Sequence, residues 1–106
     1  MEGDLSALLG LGKRAGSLII GTGGVRAALK KSQLQLVIVA KNYSDRTGEK
    51  VVRLARAKKI PVVAGLDTEE LGSRLGLGPV QAVGVTDLGL AAGIRQKTNP
   101  LLTEGV

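Results

Sequence analysis

Near the middle of the chain, Leu34-Gln35-Leu36-Val37-Ile38-Val39-Ala40 leaves little choice of architecture. An unbroken Val/Ile run cannot turn one face to water, so it reads as a strand covered on both sides. The flanking sequence supplies the covers. Leu5, Leu8 and Leu9 share one face of a helix over Asp4–Arg14, with Gly16 as its C′ residue. Leu18-Ile19-Ile20 reads as a short buried strand, and Thr22 as the cap of a second helix carrying Val25, Ala28 and Leu29 at helical spacing, ending near Lys31-Ser32.

The alternation continues to the end. Asn42 or Ser44 caps a third helix reaching about Lys58, with Val51, Val52, Leu54 and Ala55 opposite Arg46, Lys50 and Arg53. Pro61 opens a strand Val62-Val63-Ala64, expected near an edge because proline cannot donate to a ladder. Asp67 with Glu70 has the pattern of a capping box for a helix ending at Gly76. Val80–Val85 is the fourth strand, and Asp87 caps a last helix to about Gln96. Strands alternating with helices predict a layered α/β domain with a largely parallel, four-stranded sheet. The domain is expected to span residues 1–97, with residues 98–106 as a flexible tail.

Composition narrows the chemistry. The 106 residues suffice for one core, filled by aliphatics: 17 Leu, 11 Val, 11 Ala and 5 Ile, with Tyr43 the sole aromatic. There is no Cys and no His. Disulfides, Cys/His zinc sites and thiol or imidazole catalysis are therefore excluded. Carboxylates sit at helix starts, where they cap, and no serine has a histidine to activate it, so no enzyme and no cofactor is expected. The longest apolar run, Leu36–Ala40, is far below the ~20 residues a membrane span needs. Residues 1–20 show no basic-then-apolar signal pattern, so the expected location is cytoplasmic.

The charge balance points to a partner. Fifteen Lys+Arg against nine Asp+Glu give +6, and the pI is about 10.1. A compact basic domain favours polyanions, because each neutralised phosphate releases condensed counterions. Stacking platforms are absent, so RNA would be held through phosphates, backbone donors and shape. Two nucleotide motifs fail on detail. Gly10-Leu11-Gly12-Lys13-Arg14-Ala15 lies on a helix rather than after a strand, and Gly12-Lys13 is followed by Arg14, not Ser or Thr. Gly21-Thr22-Gly23-Gly24 does join a strand to a helix, with Arg26 one turn in, and is a candidate anion site. Lys13, Arg14, Arg26 and Lys41 lie at junctions, three of which could share one end of the sheet. Arg46, Lys50, Arg53 and Arg56 read as a solvated helix face.

A series of short motifs resembles a known family. Leu8-Leu9-Gly10-Leu11, Arg14-Ala15-Gly16, Gly21-Thr22 before a helix, Leu36–Ala40, Ile60-Pro61-Val62, Glu70-Leu71-Gly72, Leu75-Gly76 and Ala82-Val83-Gly84-Val85-Thr86-Asp87 follow one another from about Leu5 to Ile94. In this order they are similar to the kink-turn RNA-binding ribosomal proteins, the L-seven-Ae superfamily, and within it to the bacterial YlxQ/YbxF-type members. The resemblance implies a three-layer α/β/α sandwich with a four-stranded mixed sheet. It also implies RNA binding through the turn before the second helix and the loop before the last strand, here Gly21–Ala27 and Leu77–Gln81.

The family's reading motif, Gly-Thr-Asn-Glu with Lys three residues after the Glu, is altered. Gly23, Gly24 and Ala27 stand where Asn, Glu and Lys are expected. The expected RNA-binding set is Lys13, Arg14, Gly21, Thr22, Gly23, Gly24, Arg26, Lys41, Gly78, Pro79, Val80 and Gln81. Expected partners are structured RNA, ribosomal or kink-turn-like, and a ribosomal subunit, with no membrane and no small-molecule substrate. A second reading, a protein-interaction or assembly module on the same fold, calls for an exposed apolar patch at Leu77, Pro79 and Val80.

Overall fold

The computed structural model describes residues 2–100, with side chains described over residues 5–98. The chain runs α1 (Glu2–Arg14), β1 (Leu18–Ile20), α2 (Thr22–Lys30), β2 (Leu36–Val39), α3 (Asp45–Thr47), a π-helical segment (Gly48–Val52), α4 (Arg53–Ala57), β3 (Val62–Ala64), α5 (Thr68–Arg74), β4 (Ala82–Val85), α6 (Leu88–Lys97) and β5 (Asn99–Pro100). Residues joining α3, the π segment and α4 all keep right-handed helical dihedrals, so the three form one rod.

Three helices, α3, α5 and α6, begin where a side chain satisfies the first-turn backbone. Ser44 Oγ accepts from Thr47 N at 3.2 Å and Asp87 Oδ2 from Leu90 N at 2.7 Å. The capping box forms as its pattern predicts: Asp67 Oδ1 accepts from Glu70 N at 2.8 Å, and Glu70 Oε1 from Asp67 N at 3.0 Å. Gly16 takes φ +73° after α1.

The strand order is β1-β4-β2-β3-β5. Only β2 and β3 are parallel; β1–β4, β4–β2 and β3–β5 are antiparallel. The largely parallel sheet expected from strand–helix alternation is therefore corrected to a mixed, mostly antiparallel one. β1 and β2 do run in the same direction, but β4 inserts between them the other way, pairing Gly84 with both Ile19 and Val37. The strand expected at the edge, β3, bears the two-residue β5 on its outer side, where Val63 and Ala64 face Pro100 and Asn99. The expected tail thus begins with a backbone pairing, and residues 101–106 lie outside the described residues.

Alternation along the strands divides the interior in two. Leu36, Ile38, Val63, Val83 and Val85 pack under α1, α5 and α6 with Leu5, Leu9, Leu71, Leu75, Ala91 and Ile94. On the other face Val37, Val39, Val62 and Ala82 meet Val25, Ala28 and Leu29 of α2 and Val51, Val52 and Ala55 of the rod. Helices cover both faces of one sheet, and Leu36–Ala40 is buried throughout. At roughly 1.5–3 kcal/mol per fully buried aliphatic side chain, such a core can do without aromatics.

Candidate functional site

Four connections converge at one end of the sheet. β1 and β2 finish there and β4 begins: Gly21 N donates to Ala82 O and Ala40 N to Gln81 O, each at 2.9 Å. Lys41 N reaches Leu66 O, past the end of β3, at 2.8 Å. Side chains tie these turns together. Gln81 Oε1 accepts from Ser44 N at 2.8 Å, and Asn42 Oδ1 from Thr68 N at 3.0 Å.

The start of α2 is chemically open. Gly21, not Thr22, occupies the cap position, with φ +104°, a conformation L side chains rarely adopt. It offers no side-chain acceptor, and no acid lies in the first turn. The first-turn amides of Thr22, Gly23 and Gly24 thus have no intrahelical acceptor and stand at the positive end of the helix dipole. A Cβ built on Gly23 would find nothing within 4 Å, so the backbone there is bare and approachable.

The Thr22 hydroxyl, expected to cap α2, instead lies 3.0 Å from Thr47 Oγ1. Thr47 is 2% exposed and also takes a hydrogen bond from Ser44 Oγ at 3.3 Å. The three hydroxyls lock the start of α2 to the start of α3. Thr47 escaped the sequence reading because a lone threonine in an apolar stripe looks like a core filler. Its only signal was the four-residue spacing to Val51 and Ala55.

The expected site residues separate into groups. Gly21, Thr22, Gly23, Gly24, Lys41 and Gln81 share this end of the sheet, with Lys41 exposed. Pro79 is exposed just upstream of Gln81. Gly78 packs on α5, where a Cβ added to Gly72 would lie 1.8 Å from its carbonyl oxygen. Val80 is only 7% exposed, and its side chain joins the core beside Leu71 and Leu75. That burial reduces the apolar patch expected for an assembly module to Leu77, 44% exposed, and Pro79.

Arg26 lies one turn into α2 and lines the hollow between α2 and the rod. Lys13 and Arg14 lie away from this end. They close α1 ahead of the start of β1, where Thr86 N binds Ser17 O at 3.0 Å. Lys13 Nζ donates to Leu75 O at the end of α5, a favourable place for a cation without any ligand. Among the described residues no cluster of His, Cys, Asp or Glu could hold a metal ion, and no helix is long and apolar enough to cross a membrane.

Comparison with known proteins adds two findings. The family model described as ribosomal protein L7Ae/L30e/S12e/Gadd45 matches residues 4–94. Among solved structures, the chain is similar to a protein with unknown function from Bacillus halodurans C, with a TM-score of 0.80 and 28% sequence identity. The match covers 87% of this chain and 93% of that one. No curated protein matches the chain.

Proposed function

This chain belongs to the ribosomal protein L7Ae/L30e/S12e/Gadd45 family, and from that premise we propose that it is a non-catalytic, ribosome-associated RNA-binding protein that receives structured RNA at the sheet end around Gly21–Gly24. The observation that carries the reading is the convergence of three turns there: an uncapped, glycine-bare helix start, the exposed Lys41 turn, and Gln81 between them. RNA phosphate can approach the first-turn amides of α2 past the bare Gly23, while Lys41 supplies an exposed positive charge. The same reading makes ribosomal or kink-turn-like RNA the partner, the cytoplasm the place of action and the YlxQ/YbxF-type proteins its kin within the family.

Base readout is weakened. Gly23, Gly24 and Ala27 offer no hydrogen-bonding side chain to a base edge, whereas one bidentate base contact supplies ~1–3 kcal/mol of discrimination. Binding then rests on backbone amides, charge and the shape of the folded RNA.

The test compares a kink-turn RNA with a plain duplex of equal length at ~50 mM salt, where phosphate contacts are strongest. Both should bind, the kink-turn by a margin smaller than a full set of base readers would give. Failure of both to bind would overturn the proposal.

A further inference from the structure

Outside the sheet end, a groove lined by four cations lies between α2 and the rod. Val25, Ala28 and Leu29 pack on Val51, Val52 and Ala55 beneath it. That packing leaves Arg26 and Lys30, four residues apart on α2, facing Lys50 and Arg53 across a hollow of about 270 Å³. Leu54 and Ala57 also line it, and Glu49 is its one carboxylate. Among the described residues, neither an ion pair nor a hydrogen bond engages the four cationic side chains. Arg53 and Glu49 also line a second hollow, of about 480 Å³, with Tyr43, Asp45 and Arg56.

We propose that this groove is a second phosphate-binding track, taking the backbone of an RNA strand that leaves the sheet-end site; the inference rests on the RNA-binding reading above. Its physical basis is charge brought together by packing. The apolar contacts of α2 with the rod force like charges toward one another, and a polyanion relieves that repulsion while releasing its own counterions. The rod face that reads as solvated in sequence, with Lys50 and Arg53, therefore shares one concavity with Arg26 and Lys30 of α2. A protein partner fits less well, because the centre of a protein interface is depleted in charge, whereas grooves that follow a nucleic-acid strand are lined with it.

The experiment uses the full chain and the triple variant K30Q/K50Q/R53Q, with folding checked by circular dichroism. Each is titrated with a structured RNA carrying a single-stranded extension of about ten nucleotides, and with the same RNA lacking it, over a range of salt. The wild type should bind the extended RNA more tightly and with a steeper salt dependence. The triple variant should erase that difference, lowering the slope by about two, while binding the blunt RNA as the wild type does. Equal binding and slope for both proteins on the extended RNA would overturn the groove and leave the sheet-end site standing. Equal loss on both RNAs would overturn a separate track, and absence of wild-type binding to either would overturn both proposals. An unchanged RNA slope with lost binding to polyglutamate would assign the groove to an acidic protein instead.

Discussion

Two glycines show opposite reasons for lacking a side chain. At Gly72 the reason is internal: an added Cβ would sit 1.8 Å from the Gly78 carbonyl oxygen, which is backbone and cannot rotate away. Gly72→Ala should therefore destabilise the fold by at least the ~1–3 kcal/mol typical of overpacking, read as a fall in the urea midpoint. At Gly23 nothing in the protein occupies the space. Gly23→Val should leave stability within about 0.5 kcal/mol of wild type while weakening RNA binding, because only the ligand meets the new methyls. Unchanged affinity in that variant would place the RNA elsewhere.

Between elements, the starts of α3, α5 and α6 and the strands were legible because local chemistry specifies them, whereas α2 is capped at Gly21 and not by the expected Thr22. Ser44, Asp67 and Asp87 cap where an oxygen side chain precedes an apolar period, and Leu36–Ala40 is buried as its Val/Ile run demands. Strand direction was not legible. Inserting β4 between β1 and β2 is a long-range pairing that no local pattern records, and alternation alone suggested parallel neighbours.

The candidate site was half legible for the same reason. Lys13 and Arg14 are close in sequence to Gly21, but β1 separates them to opposite ends of the sheet. Conversely Gln81, about forty residues from Ser44, reaches its amide. Gln81→Ala should cost about 1 kcal/mol of stability through that lost bond, and should weaken RNA binding by loosening the Lys41 turn. Chemical denaturation and a filter-binding titration report the two effects separately.

Taken whole, the molecule is a sheet clamped between two aliphatic cores, with the uncapped start of α2 at one end and a net charge of +6. Steering by that charge should make RNA affinity fall linearly with salt on a double-logarithmic plot, by roughly 0.7–0.9 per phosphate contacted. A flat dependence would mean that charge does not drive the association. Location is the sharper question, and amide chemical-shift mapping by NMR, titrating the 15N-labelled chain with a structured RNA, answers it directly. The account predicts the largest shifts at Gly21–Val25, Lys41–Ser44 and Gln81. Shifts confined to Lys13–Ser17 and Thr86–Leu88, at the opposite end of the sheet, would contradict it.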